Sequence, residues 1–83
     1  MINRKIRSVH INAGQGAWAA TVSMYWYTRP SRRLVGTQVR KLCIDQLQIS
    51  PADFNYRHDV NMDATHIHFR DRTDAVSVYL TLS

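Results

Sequence analysis

The feature that most constrains the fold is a strict alternation of apolar and polar side chains between residues 18 and 27. Five large or apolar residues share one face of an extended chain: Trp18, Ala20, Val22, Met24 and Trp26. A period of two is typical of a β-strand with one buried face. The sequence therefore predicts a half-buried strand here, against which the rest of the chain must pack.

The same alternation predicts four more strands, at residues 4–12, 54–62, 65–70 and 76–82. Ile6 is out of phase with the apolar residues that follow it, which indicates a β-bulge or an edge position. Residues 13–16 contain Gly14 and Gly16, which tolerate the positive φ of a short hairpin loop. Residues 71–74 are polar and are interpreted as the turn before the last strand.

One helix is predicted between the second and third strands, over residues 31–48. Its stripe has helical spacing and consists of Val35, Val39, Leu42, Cys43 and Leu47. Pro30 ends the preceding strand, and Thr28 or Ser31 can cap the helix. Ser50 and Pro51 indicate a second, short helical turn. We expect a single α+β domain over residues 1–83: a five-stranded antiparallel sheet in β-β-α-β-β-β order, with one helix on one face.

Charge is distributed unevenly along the chain. The net charge is +5, with 11 Lys and Arg against 6 acidic residues. Residues 1–41 contain no acidic residue, whereas residues 42–83 are net negative. This excludes the acidic proteins that imitate DNA, and it favours an anionic partner such as nucleic acid or a nucleoprotein complex. Pairing between the two halves of the chain is the alternative.

The predicted binding residues fall into two groups. The first surrounds the helix start and continues along the helix: Arg29, Arg32, Arg33, Arg40 and Lys41. Cations oppose the helix dipole at its N-terminus, so a bound phosphate there would relieve an unfavourable arrangement. The second group lies on the sheet and consists of Tyr25, Tyr27 and Arg70. Solvated arginines with no ligand are the simpler interpretation of the first group.

One helix covers one face of the sheet, so the other face must meet water or a partner. The strand phases place these residues on it: Ser8, His10, Asn12, Thr21, Tyr25, Tyr27, Asn55, Arg57, Asp59, His66, His68, Arg70, Ser77 and Tyr79. Such a mixture suits single-stranded nucleic acid, which is bound by stacking on aromatic rings and by neutralisation of phosphates. Ordinary cross-strand pairs of good strand-forming residues explain it equally.

The sequence gives little support for a metal site or a catalytic site. His66 and His68 have a spacing that metal sites use, with His10 or Asp59 as further ligands, but no third ligand is defined. The same histidines with Lys41 could form a metal-independent ribonuclease, yet Lys41 belongs to the helix. His58 is interpreted as a hydrogen-bonded core or edge histidine, and Cys43 as a small core residue. We therefore expect no catalytic residue, no metal and no cofactor.

The functional hypothesis is a non-enzymatic protein that binds nucleic acid or a nucleoprotein through the arginine-rich helix start. The alternative is a protein–protein inhibitor or adaptor, resembling in size the accessory proteins with which phages and plasmids block a host enzyme or defence complex. Pairing of sheet edges would give a homodimer. A single cysteine and the lack of a signal or membrane-spanning segment predict a cytoplasmic location.

Overall fold

The structure is a computed structural model that describes residues 5–83. Its strands are β1 (Ile6–Ala13), β2 (Ala20–Trp26), β3 (Phe54–Asp59) and β4 (Ala64–Phe69). Its helices are α1 (Arg32–Arg40), which continues into a π-helical segment (Lys41–Gln46), a 3₁₀ turn (Pro51–Asp53) and α2 (Arg72–Leu82). The chain order is therefore β-β-α-β-β-α.

The four strands form one antiparallel sheet in the order β1-β2-β4-β3. Strand β4 lies between β2 and β3, so β2 and β3 run parallel and α1 connects them across β4. The register of β1 shifts between Ile6 and Ser8, which confirms the predicted irregularity. Strand β3 ends at Asp59, earlier than predicted, because the Asp59 carboxylate accepts hydrogen bonds from the N–H groups of Asn61 and Met62.

The α+β class and the antiparallel sheet are confirmed, but the prediction of five strands and a single helix is wrong. Residues 76–82, predicted as the fifth strand, belong to α2. Their sequence satisfies two periods, since Ala75, Val78 and Leu82 also lie on one helical face, and all three are buried. The supposed turn is the helix start, where the Asp71 side chain accepts a hydrogen bond from the Thr73 N–H at 2.8 Å.

The width of the sheet explains why a second helix is needed. Four strands span about 15–20 Å, whereas one helix with its side chains covers about 10 Å. Helix α1 packs over β3, and α2 packs over β1, β2 and β4. A fifth strand would have left half of the apolar face uncovered. As a consequence, Val76 and Leu80 are exposed on α2, because they fit the strand period and not the helical one.

Helix α1 begins where the sequence predicts. The Ser31 side chain accepts a hydrogen bond from the Leu34 N–H at 3.0 Å. The wider π turns follow Arg40 and end at Gln46, and Gln48 just beyond them has a positive φ of 56°. The predicted stripe faces the sheet: Val35, Val39, Leu42 and Cys43 are buried, and Leu47 packs against the core.

Two hydrogen bonds through one buried hydroxyl connect three side chains of the core beneath the helices. Thr65 is fully buried, and its hydroxyl accepts a hydrogen bond from the Trp26 indole N–H at 2.9 Å. The same hydroxyl lies 2.8 Å from Nδ1 of His58. An indole can only donate, so the Thr65 hydroxyl still has its O–H and a second lone pair for His58 Nδ1, and this bond forms with either tautomer of the imidazole. His58 Nε2 is buried and has no hydrogen-bond partner among the described residues.

Candidate functional site

The sheet face opposite the helices, here called the open face, aligns polar side chains in rows across all four strands. The pairing registers produce two adjacent rows. The first row is Asn12, Thr21, His68 and Asn55. The second row is His10, Ser23, His66 and Arg57. Residues far apart in sequence thus become direct neighbours, and each central histidine faces a hydroxyl residue of β2.

Each of these histidines is held by the hydroxyl beside it. Nδ1 of His66 lies 2.8 Å from Oγ of Ser23, and Nδ1 of His68 lies 2.9 Å from Oγ1 of Thr21. Ser23 is only 5% exposed, so its hydroxyl is a fixed partner. Among the described residues, the Nε2 atoms of His66 and His68 have no hydrogen-bond partner, and neither atom is fully buried. Both Nε2 atoms are therefore available to a ligand from solvent.

These histidines line the larger depression of the open face, here called the central cavity, with a volume of about 620 Å³. Its lining comprises Asn12, Ala13, Gln15, Trp18, Thr21, Asn55, Arg57, His66 and His68. The Trp18 ring forms one wall, with its centroid 6.2 Å from that of His68. The guanidinium carbon of Arg70 lies 5.2 Å over the indole, and Nε of Arg70 donates to the Ala52 carbonyl at 2.9 Å. A cation thus stabilises the position of the tryptophan.

The β1–β2 loop brings Trp18 to this wall only because residue 14 is glycine. A Cβ at Gly14 would overlap the carbonyl oxygen of Trp18 and would lie 2.8 Å from the Ala20 nitrogen. The Gly14 N–H donates to the Ala19 carbonyl at 3.1 Å, which closes the loop. The alternation places Trp18 in the core, but β2 begins at Ala20, and Trp18 is half-buried in the loop.

A second cavity of about 260 Å³ adjoins the first on the β1 side. Its lining comprises Arg7, Ser8, His10, Asn12 and Tyr25, so Asn12 belongs to both cavities. The guanidinium carbon of Arg7 lies 5.8 Å from the Tyr25 ring centroid, and the His10 ring meets the Tyr25 ring edge-on at 5.6 Å. Each cavity therefore combines an aromatic ring, an imidazole and an arginine.

No acidic residue lines either cavity. Three of the six aspartates have other partners: Asp59 caps the β3–β4 turn, Asp63 pairs with Arg29, and Asp71 caps α2. The open face is therefore positive at its cavities. The arrangement depends on the fold, because Arg57, His66 and His68 belong to the half of the sequence that is net negative.

The predicted site residues do not form one surface. Tyr25 lies in the second cavity, and Arg70 covers Trp18. Tyr27 lies beyond the end of β2 and is 66% exposed. Arg29 is already satisfied by the chain: Nε lies 3.1 Å from the Asp63 carboxylate, and Nη2 donates to the Val60 carbonyl at 3.1 Å. The internal pairing that charge alone left open therefore exists for this arginine.

Four further predicted residues lie on the helical side of the sheet, opposite the open face. Arg32, Arg33 and Arg40 are exposed on α1, and Lys41 is exposed at the start of the π-helical segment. Arg32 lines a smaller cavity of about 230 Å³ with Val35, Tyr56 and His58. Burial lowers the pKa of His58, and the nearby Arg29 and Arg32 lower it further, against the opposing effect of Asp63 and Asp59.

Sequence reasoning placed Arg57, His66 and His68 on the correct face but did not select them as a binding site. The signal was present in the alternation of β3 and β4. What was missing was the strand order, which makes His66 the direct neighbour of Ser23 and of Arg57.

No metal or membrane signal is present in residues 5–83. No group of three or more His, Cys, Asp or Glu side chains there is arranged to hold a metal ion. No helix in that part of the chain is long and apolar enough to span a bilayer. Cys43 is a buried free thiol, and burial raises its pKa to about 12. Comparison with protein-family models, with curated proteins and with solved structures found no match for the chain.

Proposed function

We propose that the protein is a cytoplasmic, non-enzymatic binding protein that holds single-stranded nucleic acid across the open face of its sheet. The observation that carries this proposal is the pair of adjoining cavities, which share Asn12 and each contain an aromatic ring, an imidazole and an arginine. Two equivalent subsites side by side suit a ligand with a repeating unit, and a nucleotide chain repeats a base and a phosphate.

The shape of the surface favours a single strand over a duplex. A four-stranded sheet face, about 15–20 Å across, is wider than the major groove of about 12 Å, and the bases of a duplex are stacked on one another out of its reach. The bases of a single strand can stack on aromatic side chains, which contributes about 1–3 kcal/mol for each base. Trp18 and Tyr25, half-buried and backed by Arg70 and Arg7, are the aromatic groups that the face offers.

The charges on the face set the expected salt dependence. Arg7, Arg57 and Arg70 can neutralise about three phosphates, which for a single strand gives a slope of about −2 in log K against log salt. Raising monovalent salt from about 50 to about 200 mM should then weaken binding by about 20-fold. Aspartates are absent from the lining of both cavities, so no internal ion pair competes with the phosphates.

The test is fluorescence anisotropy with labelled DNA and RNA strands of about ten nucleotides, single and double, across that range of salt. Arg57→Gln is expected to weaken binding and to reduce the salt slope by about 0.7. The matched control is Arg33→Gln, which removes one exposed cation from α1 on the other side of the sheet. Absence of binding at low salt would refute the proposal. If Arg33→Gln lowered the affinity for nucleic acid and Arg57→Gln did not, the contact would lie on α1, as the charge pattern of the sequence predicts.

A second candidate function, docking on a partner protein, is favoured by one end of the sheet. Tyr27, Val60 and Met62 are 66%, 39% and 61% exposed. Their segments are held together because Arg29 bonds Asp63 and the Val60 carbonyl, while the Trp26 N–H donates to the Asp63 carbonyl. Large apolar side chains that are exposed on neighbouring segments are typical of interfaces.

This second candidate is tested by recovery of one defined protein from nuclease-treated lysate. Met62→Ser is expected to abolish that recovery, whereas Leu80→Ser, which changes an equally exposed residue on α2, should leave it unchanged. Recovery that disappears on nuclease treatment would argue for nucleic acid and against a direct protein partner.

A further inference from the structure

We propose that the central cavity is a phosphate subsite, in which Arg57 and the Nε2 atoms of His66 and His68 hold one phosphodiester group of the bound strand, and that occupation of this subsite is coupled to protonation of the histidines. The proposal rests on the function proposed above and adds a ligand group, its contacts and a pH dependence. The strand register places Arg57 directly opposite His66.

The spacing of the three groups fits one phosphate. His66 and His68 are two residues apart on β4 and share a face, which separates their Cα atoms by about 7 Å. Arg57 approaches from the neighbouring strand, and all three line the same cavity. Two imidazole rings and a guanidinium fork thus line one space from two strands, and the guanidinium matches the geometry of phosphate oxygens.

The imidazole rings are already oriented for this task. The hydroxyls of Ser23 and Thr21 bond Nδ1 of His66 and of His68, respectively, so Nε2 is the atom left for a ligand. Fixing a ring through its second nitrogen reduces the entropy lost on binding. Ordinary strand residues on an open sheet explain the presence of histidine and serine, but not two adjacent rings anchored in the same manner around an arginine.

The cavity lacks the negative charge that an imidazolium needs. Besides the two histidines, the polar and aromatic groups that line it are Asn12, Gln15, Trp18, Thr21, Asn55 and Arg57, and the neighbouring side chains are His10, Ser23 and Arg70. None of them is acidic. Burial lowers the pKa of His68, and the neighbouring His66 and Arg57 lower it further. A phosphate supplies the missing charge, so phosphate binding and proton uptake must favour each other.

The coupling is measured first on the wild-type protein with inorganic phosphate. Histidine ring resonances are followed by NMR between about pH 5 and pH 8, with phosphate or with chloride at equal ionic strength. Phosphate is expected to shift the ring resonances of His66 and His68, to raise the pKa of His68, and to leave the pKa of His58 unchanged. The affinity for a strand of about ten nucleotides should rise as the pH falls from about 7.5 to about 5.5, by at most about tenfold per pH unit for each proton taken up.

The variants His66→Asn and His68→Asn isolate the role of Nε2. The asparagine amide occupies the position of Nδ1 and can keep the hydrogen bond to Ser23 or Thr21, while Nε2 and its titration are removed. Both variants should lose most of the pH dependence and lower the affinity at about pH 6. The comparison is His10→Asn, which removes the imidazole of the second cavity: it should lower the affinity at every pH by a similar factor and retain the pH dependence.

The outcomes separate this proposal from the proposed function. Two outcomes would overturn the phosphate subsite and leave nucleic-acid binding intact. One is an affinity for the nucleic-acid strand that does not depend on pH, and the other is a pH dependence that is lost in His10→Asn. Phosphate-dependent shifts of His66 and His68 without binding of any strand would refute the function and support the anion site alone. If phosphate shifts neither resonance, the subsite does not exist.

Discussion

The buried hydroxyl of Thr65 offers the sharpest test of the packing that supports the open face. Thr65→Val replaces the hydroxyl with a methyl group of similar size, so no cavity forms. Thr65 is fully buried, and its Oγ1 is the partner of both Trp26 Nε1 and His58 Nδ1. The substitution therefore leaves two polar atoms without their partner on the helical side of the sheet.

The expected loss of stability follows from those two atoms. A buried donor or acceptor that loses its partner costs about 1–3 kcal/mol. The Trp26 indole, on a residue that is 4% exposed, bears the full penalty, whereas His58 is half-buried and water reduces its share. We expect the free energy of unfolding to fall by about 2–4 kcal/mol. Each kcal/mol lowers Tm by about 4–8 °C in a domain of this size.

Urea denaturation followed by circular dichroism measures this loss, with two matched controls. Thr65→Ser keeps the hydroxyl and loses one methyl group, which costs about 1 kcal/mol. Thr21→Val removes the analogous partner of His68 on the open face, where water can replace it, and should cost less than about 1 kcal/mol. If Thr65→Val were as stable as Thr65→Ser, the buried hydrogen-bonded chain would have no energetic role and the reasoning would be wrong.

Three further outcomes are expected. Cys43 is fully buried and burial raises its pKa to about 12, so thiol reagents should modify it only at the rate of unfolding, and rapid modification of the native protein would contradict this. Burial lowers the pKa of His58 and of His68, so these two imidazoles bind fewer protons in the folded protein than in the unfolded chain. The free energy of unfolding should therefore fall as the pH is lowered through about 6.5. Identical denaturation curves at about pH 7.5 and about pH 5.5 would contradict this. Gly14→Ala should displace the Trp18 loop because of the overlap at its Cβ, seen as a shifted Trp fluorescence spectrum and weaker strand binding; an unchanged spectrum would argue against the loop geometry.

Local patterns in the sequence were sufficient for most of the individual elements. The alternation around Val22 and Met24 predicted the buried face of β2, and both residues are fully buried. Ser31 caps α1, and the two glycines lie in the β1–β2 loop. These features depend on neighbours within a few residues, because backbone φ, capping and side-chain period are local properties.

The candidate site was less accessible, because its groups meet only through strand pairing. Arg29 and Asp63 are 34 residues apart, and their ion pair removes one predicted anion contact. The pairing of Ser23 with His66 spans 43 residues. No local pattern indicates that β4 lies between β2 and β3, so the central cavity was not visible as a unit.

By itself, the sequence determined where the four observed strands and the first helix form, which side chains of β2 are buried, and that the chain carries excess positive charge. Only the tertiary structure decided the state of residues 72–82, where the period of a strand and that of a helix both fit, because the sheet needed a second helix to cover its apolar face. Tertiary structure also decided where the charge acts: strand order gathers Arg57, His66 and His68 into one acid-free cavity, since side chains from separate strands become neighbours only through the register of the sheet.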